Sequence, residues 1–112
     1  MKKTVMETIK GTAEKFSSKI AFSIKINNEW VSTTWKDYYE QILVTGRAFM
    51  ALGLEKGDGV SLIGSNRPEW LIADYAAIFA GGVPGGIYTT NSPEQCHYIA
   101  EHSEASIAVV EN

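Results

Sequence analysis

A cluster of glycines is the feature of the sequence that first suggests ligand chemistry. Four of the chain's ten glycines lie in the segment GGVPGG at 81–86. Glycine-rich loops bind phosphate where a strand runs into a helix, because the first turn of the helix offers free N–H groups and the positive end of its dipole. Here the glycines run from a predicted helix into a predicted strand, and the motifs GxxxxGK[ST] and GxGxxG do not occur. We therefore expect Gly81-Gly82 to end a helix and Gly85-Gly86 to permit close packing within a strand.

A second group of candidate residues combines one thiol with two imidazoles. Cys96, His97 and His102 have the side-chain types of a transition-metal site. His97 and His102 do not have the i, i+4 spacing that places two ligands on one helical face. We expect surface or capping roles for the histidines and a small, partly buried apolar role for Cys96. The sequence leaves the functions of all three residues open.

The better binding candidates are the two turns that follow predicted strands, at 64–67 (GSNR) and 89–92 (TTNS). Open α/β sheets bind ligands beyond the carboxyl ends of their strands. The alternative is that these polar residues only cap helices, and we favour it for any single residue. Arg67 either meets an anion or, as we favour, is solvated or pairs with Glu69.

The first half of the chain, which comes before these turns, is predicted to form two helices and a hairpin. Apolar spacing predicts a helix over 5–16, and alternation predicts strands over 21–26 and 30–34 with a turn at Asn27-Asn28-Glu29. Thr34 is the expected cap of a long helix that carries one apolar stripe and ends at Leu52-Gly53. The stripe consists of Tyr38, Ile42, Thr45 and Phe49.

The second half alternates short apolar strands with capped helices. We predict strands at 60–63, 84–88 and 106–110, and helices at 68–80 and 93–102. The expected caps are Ser65-Asn66 for the first of these helices and Ser92, with Gln95, for the second. A β-α-β-α-β unit has parallel strands and right-handed crossovers. The predicted fold class is α/β: an N-terminal helix and β-hairpin followed by a parallel sheet.

Composition limits the classes of function. A chain of 112 residues suits one domain. Its net charge of −3 and scattered basic residues argue against nucleic acid as a partner. No apolar run approaches the ~20 residues of a membrane span, and we expect no signal peptide behind the two N-terminal lysines. The single cysteine fits a reducing, cytoplasmic compartment.

Several segments, in this order, carry a resemblance to a known family. They are TWKDYYEQ at 34–41, LGLEKGDGV at 52–60, NRPEW at 66–70, IYTTNSPEQ at 87–95 and HSEASIAVVEN at 102–112. Together they resemble the N-terminal region of AMP-forming acyl-CoA synthetases, the adenylate-forming enzymes. Within that group the chain is most similar to long-chain fatty-acid–CoA ligases of the bubblegum type. The resemblance covers nearly the whole chain.

The resemblance implies a parent enzyme that uses ATP, Mg²⁺ and CoA to convert a fatty acid to its acyl-CoA. The family's phosphate-binding, ribose-binding and lysine motifs are absent from the 112 residues. We therefore expect no catalytic, cofactor-binding or metal-binding residue here and no activity from the chain alone. Residues 1–112 would be part of an adenylate-forming N-terminal domain, with 1–53 as helix, hairpin and helix and 54–112 as the parallel unit. The resemblance is compatible with a membrane-associated parent; the alternative is a free-standing small α/β binding or interaction module.

Two further expectations concern apolar surfaces. Trp30, Trp35, Tyr38, Tyr39 and Phe49 could line an acyl-binding wall, although helical spacing favours packing in the core and hairpin. A three-stranded parallel sheet without its parent's remaining strands has two unpaired edges, so we expect the chain to self-associate. The expected contact surfaces are the strands VSLI and SIAVV, together with the aromatic faces of the hairpin and of the helix from Trp35.

Overall fold

The computed structural model describes residues 4–64, 67–87, 91–102 and 104–110. They form two compact units, Met1–Gln41 and Ile42–Asn112. The boundary between the two units, at Gln41 and Ile42, lies inside a helix. The change in sequence pattern, in contrast, comes after Gly53. The elements in chain order are α1 (Val5–Lys15), β1 (Ile20–Ile26), β2 (Glu29–Thr34), α2 (Trp35–Ala51), β3 (Gly59–Ile63), α3 (Pro68–Phe79), β4 (Val83–Ile87), α4 (Pro93–His102) and β5 (Ala105–Val110).

The first unit begins with a helix whose start is capped by two reciprocal hydrogen bonds between side chain and backbone. The Thr4 side chain accepts a hydrogen bond from the Glu7 N–H, and the Glu7 carboxylate accepts one from the Thr4 N–H. This reciprocal pair is a capping box. Ile9 and Ala13 of the predicted apolar face of α1 are buried, whereas Val5 and Phe16 at its two ends are exposed.

The predicted hairpin is confirmed, because β1 and β2 pair antiparallel with Ile26 opposite Glu29. Asn27 and Asn28 form the connection with φ angles of 51° and 65°. Asparagine tolerates this left-handed region better than most residues, which explains the two-residue turn. Ser23 and Ser32 lie opposite each other across the strands, with their hydroxyl oxygens 2.8 Å apart.

The long helix α2 begins and ends as its sequence predicts. The Asp37 N–H donates to Thr34 Oγ1 at 3.2 Å at the start. Tyr38, Ile42 and Phe49 of the predicted stripe are buried. At the end, Gly53 has a φ of 100°. Its N–H donates to the Met50 carbonyl at 3.0 Å, while the Leu54 N–H donates to the Phe49 carbonyl at 3.1 Å. These two bonds form a Schellman motif.

The second unit contains a three-stranded sheet in the order β4-β3-β5. Both pairings of β3 are parallel, which confirms the predicted parallel α/β arrangement. The core cluster joins the end of α2, the central strand and the inner face of α3. Its buried members are Phe49, Leu54, Val60, Leu62, Ala73, Ala76 and Ala77.

The central position of β3 corrects one expectation about contact surfaces. Segment VSLI (60–63) is hydrogen-bonded on both sides, and Val60 and Leu62 are each 1% exposed. It therefore offers neither a free edge nor an accessible side-chain face to a partner. The sequence pattern predicts the strands but not their order in the sheet. In the structure, β4 and β5 are the outer strands.

The turns at the amino end of the sheet are tied together by backbone hydrogen bonds. The Gly57 N–H donates to the Gly81 carbonyl at 2.8 Å, and the Val83 N–H donates to the Asp58 carbonyl at 2.8 Å. Gly81 has a φ of 88° and ends α3 as predicted. The Gly82 N–H completes the cap by donating to the Ala77 carbonyl at 2.8 Å. Two loops that are distant in sequence thus share one hydrogen-bonded network.

Among the described residues, no helix is both long and apolar enough to cross a membrane.

Candidate binding edge at the carboxyl ends of the strands

The first candidate turn leads from β3 into α3, and its helix start has little capacity left for an anion. Ser65 and Asn66, the predicted cap, lie outside the described residues. Arg67 occupies the N-cap position and makes no side-chain capping bond. Pro68 follows without an N–H, and the Trp70 N–H donates to the Arg67 carbonyl at 3.1 Å. Arg67 Nε also lies 3.5 Å from Glu69 Oε2, so the predicted Arg67–Glu69 ion pair is confirmed.

The second candidate turn leads from β4 into α4, and its helix start is internally satisfied. Thr89 and Thr90 lie outside the described residues. Ser92 Oγ accepts from the Gln95 N–H at 3.2 Å, and Gln95 Oε1 accepts from the Ser92 N–H at 2.8 Å. This is the predicted capping box. The Ser92 and Gln95 N–H groups are used in this box and Pro93 has no N–H, so Glu94 supplies the remaining first-turn amide.

The two helix starts share one electrostatic property. Each begins with Pro-Glu, so an acidic side chain lies in the first turn of α3 and of α4. A carboxylate in the first turn interacts favourably with the positive end of the helix dipole. It also repels a phosphate that would occupy the same place. The geometry therefore supports structural capping at the second turn, whereas the N-cap residue of the first, Arg67, makes no side-chain capping bond.

A cavity of about 340 Å³ lies beside the start of α4. Its lining combines polar and apolar side chains, and Tyr98 at its rim is 66% exposed, so it opens to solvent. The volume is at the lower end of the range for small-molecule sites. The lining residues are Asn91, Glu94, Gln95, Tyr98 and Ile99. From the sequence, Asn91 was expected in a candidate binding turn and Gln95 in a capping box, and the cavity was not predicted.

The thiol and the two imidazoles do not converge. His97 Nε2 lies 3.1 Å from Glu101 Oε2 one helical turn away. The His102 ring stacks on Tyr98, with centroids 5.6 Å apart. Cys96 is partly buried, as expected, and its Sγ lies 3.9 Å from the Asn91 carbonyl. Within the described ranges, no group of three or more His, Cys, Asp or Glu residues is placed to hold a metal ion.

Asp74 is a titratable residue that the reading from sequence missed. It lies on α3, where burial raises the pKa of its carboxyl above the ordinary value of 3.8. The sequence does single out this residue, because Asp74 is the only charged residue between Trp70 and Gly82. A lone acid on an otherwise apolar helix is costly to bury without a partner.

The aromatic residues separate into core, hairpin and surface positions. Tyr38 and Phe49 are buried, and the Phe22 ring meets Tyr38 edge-on at 5.2 Å between centroids. Trp35 lies 5.9 Å from Tyr38 between ring centroids. Trp30, in contrast, is 71% exposed, and Lys25 Nζ lies 6.0 Å from its ring centroid. These residues support the predicted packing in the core and hairpin, with Trp30 outside the core.

The two strand glycines have different surroundings. A Cβ on Gly86 would lie 3.2 Å from Trp70 Cζ2, so the absence of a side chain permits α3 to approach β4. A Cβ on Gly85 would meet no atom within 4 Å. The expected close approach is therefore confirmed for Gly86 and is wrong for Gly85.

The sequence matches a known protein family and several known proteins. The family described as "AMP-binding enzyme" matches residues 9–112. The chain is 49% identical over 110 residues to the long-chain-fatty-acid–CoA ligase ACSBG2 of Gallus gallus, covering 98% of this chain and 14% of that protein. It is 46% identical to the ACSBG2 ligase of Xenopus laevis, covering 97% of this chain and 15% of that protein. The chain thus spans about one-seventh of the length of these relatives.

Solved structures share the fold at low sequence identity. The fatty acid AMP ligase from Legionella pneumophila matches with a TM-score of 0.83 and 16% identity, covering 94% of this chain and 19% of that one. Klebsiella oxytoca NpsA in complex with 3-hydroxyanthranilyl-AMSN matches with a TM-score of 0.85 and 17% identity, covering 100% of this chain and 22% of that one. At this identity, the likeness concerns the fold alone.

Proposed function

Because the chain belongs to the AMP-binding enzyme family, we propose that it is the N-terminal portion of a long-chain fatty-acid–CoA ligase. The observation that carries this proposal is the 49% identity to the Gallus gallus ligase along 98% of the chain. The whole enzyme would convert ATP, a fatty acid and CoA into acyl-CoA, AMP and pyrophosphate. Residues 1–112 would form part of its N-terminal domain.

We expect no site for Mg²⁺ or ATP among the described residues. Both helix starts carry proline and glutamate where a phosphate site would need free N–H groups. Arg67 is already paired with Glu69. No step through ATP, Mg²⁺ or CoA is therefore assigned to these residues. Their contribution to the enzyme is to form one part of the sheet and to hold the two polar turns at its carboxyl edge.

Activity should consequently be absent from the chain alone and present in a hybrid enzyme. We would replace the matching segment of the Gallus gallus ligase with residues 1–112 and measure pyrophosphate release from ATP and a long-chain fatty acid. The hybrid should retain activity of the same order as the unmodified ligase, whereas the purified 112-residue chain should release none. The matched control hybrid carries the corresponding segment of the Legionella pneumophila ligase, which shares the fold at 16% identity to this chain.

Two results would contradict the proposal. One is a folded but inactive hybrid, since the segment would then not be equivalent to that of a fatty-acid–CoA ligase. The other is pyrophosphate release by the chain alone, because none of the 112 residues is assigned to catalysis.

A free-standing binding module is the second candidate function, and the cavity beside α4 is the observation that favours it. The reading frame downstream of codon 112 distinguishes the two. Continuation into a Ser/Thr/Gly-rich loop followed by a lysine supports the ligase, and a stop codon supports the module. Under either candidate we propose a cytoplasmic location, which the single cysteine supports.

We also propose that the 112-residue chain self-associates. Exposed apolar side chains occur in both units; Trp30 is 71% exposed in the first, and Val83 is 61% and Val110 is 63% exposed in the second. Among the described residues, β4 and β5 are the outer strands of the three-stranded sheet. A specific contact would bury roughly 800 Å² on each partner.

A further inference from the structure

The cavity beside the start of α4 lies in a part of the sequence that has no strongly basic side chain. Residues 68–112 contain six acidic residues and neither lysine nor arginine. The six are Glu69, Asp74, Glu94, Glu101, Glu104 and Glu111. ATP, CoA and a fatty acid, the substrates proposed for the whole enzyme, are all anions. This charge distribution disfavours their charged groups and favours a cation.

Two residues at the wall of the cavity have the chemistry that recognises an organic cation. Glu94 and Tyr98 are i, i+4 neighbours on α4 and both line the cavity, so a carboxylate and an aromatic ring lie close together there. The His102 ring stacks on Tyr98 with an interplanar angle of 6° and covers one face of the phenol. The other face or the edge of Tyr98 therefore borders the cavity. A guanidinium pairs with a carboxylate through a planar fork of N–H donors and also stacks on aromatic rings.

The other lining residues fit the rest of such a ligand. Gln95 Oε1 is used within the helix cap, where it accepts from the Ser92 N–H at 2.8 Å. The Asn91 side chain provides a further amide oxygen, which can accept from a guanidinium N–H. Ile99 provides apolar surface along which an alkyl chain can lie. The volume of about 340 Å³ suits one small ligand or one long side chain.

We propose that the cavity beside α4 binds a guanidinium group, with Glu94 as its counter-ion, Tyr98 as its stacking surface and Ile99 against its alkyl chain. The group is carried either by a free small cation or by an arginine side chain of the remaining enzyme, since both present the same chemistry. This binding goes beyond the proposed ligase reaction, whose substrates are anions. Because Glu94 is exposed, the dissociation constant for a free guanidinium should be on the order of 1 mM.

A titration of the 112-residue chain with methylguanidinium chloride tests the site. Binding is followed by NMR at constant ionic strength, through the backbone amides and the Ile99 δ1-methyl group. The resonances of Glu94, Tyr98 and Ile99 should shift along one saturable curve. Methyl phosphate, an anion of similar size, should produce no saturable shift of the same resonances.

Three variants, each shown to be folded by circular dichroism, assign the binding to the lining residues. Glu94→Gln keeps the shape of the side chain but removes its charge, and should weaken binding roughly 5-fold. Glu104→Gln is the matched control, because it removes the same charge from an exposed residue that does not line the cavity. It should leave the dissociation constant almost unchanged. Tyr98→Leu removes the ring but keeps an apolar side chain, and should weaken binding roughly 3-fold.

The hybrid enzyme described above distinguishes the two sources of the guanidinium and needs only to be folded, not active. If the ligand is a free cation, methylguanidinium shifts the Ile99 methyl resonance of the hybrid as it does in the chain alone. If an arginine of the remaining enzyme occupies the cavity, the probe causes no such shift. In that case Glu94→Gln lowers the melting temperature of the hybrid more than Glu104→Gln does.

The proposal is overturned by any of three results. The first is the absence of a saturable shift at Tyr98 and Ile99 in the chain alone. The second is an equal effect of Glu94→Gln and Glu104→Gln on binding, which would show that only the general negative charge attracts the probe. The third is a folded hybrid that neither binds methylguanidinium nor loses stability on Glu94→Gln.

Discussion

Two glycines in helix interiors should respond in opposite ways to the same substitution. Gly46 lies in α2, where a Cβ would collide with Phe79 Cδ2 of α3 and lie 3.1 Å from the Ala76 carbonyl oxygen. Gly11 lies in α1, where a Cβ would meet no atom within 4 Å. Helix propensity favours alanine over glycine by about 1 kcal/mol at both positions. The difference between the variants therefore measures the packing at Gly46.

The expected magnitudes follow from these contacts. Gly11→Ala should increase the free energy of unfolding by about 0.5–1 kcal/mol. Gly46→Ala gains the same helix propensity but adds an overpacking cost of about 1–3 kcal/mol. The net expectation for Gly46→Ala is a destabilisation of up to about 2 kcal/mol. Removing the ring with Phe79→Ala should remove the collision with the ring but not the contact with the Ala76 carbonyl oxygen, so Gly46→Ala should be less destabilising in that background.

Urea denaturation followed by circular dichroism is the assay, with the four chains of a double-mutant cycle at Gly46 and Phe79 and with Gly11→Ala as the control. A coupling of about 1–3 kcal/mol between Gly46→Ala and Phe79→Ala is expected. The reasoning is refuted if Gly46→Ala stabilises the chain as much as Gly11→Ala does. It is also refuted if the cycle shows no coupling, since the collision with Phe79 would then carry no energy.

Three further substitutions test other contacts. Ser92→Ala should cost about 1 kcal/mol by removing the cap of α4, with a lower helical signal in circular dichroism; an unchanged melting curve would contradict the role of the cap. Asp74→Asn should stabilise the chain at neutral pH. Burial raises the folded-state pKa of Asp74 above 3.8, so the native carboxyl lowers stability as pH rises from the unfolded to the folded pKa. Urea midpoints should therefore converge below pH 3.8 and separate above the folded pKa; a constant difference across pH would exclude this cause. Gly86→Ala should destabilise the sheet through contact with Trp70, whereas Gly85→Ala has open space and should be neutral or stabilising. Equal melting temperatures for these two variants would show that the contact is not tight.

Local signals in the sequence were sufficient to predict most elements. The segment Ser92-Pro93-Glu94-Gln95 contains its own capping chemistry, and both predicted hydrogen bonds are present. Gly53 and Gly81 ended their helices because glycine has little steric cost at positive φ. The parallel arrangement followed from the alternation of strands and helices, since each crossover returns the chain to the same end of the sheet.

Properties that depend on spatial order were not predictable in the same way. The apolar run of β3 fits a buried central strand and a buried edge strand equally, so its position had to come from the pairing. Gly85 and Gly86 are neighbours in sequence, but only one faces Trp70. The cavity beside α4 depends on side chains separated by a full helical turn, and of these only Asn91, in a candidate binding turn, and Gln95, in a capping box, had been singled out from the sequence.

The hydrogen-bonded turns at the amino end of the sheet limit how the length of this chain can vary between relatives. Gly57 bonds to Gly81 and Asp58 bonds to Val83 across the sheet edge. One residue inserted between Gly57 and Asp58 would change the spacing of these two bonds, so that both could not form with the present register of β3 and β4. Insertions and deletions should therefore be rare at the amino-end turns of homologous sequences.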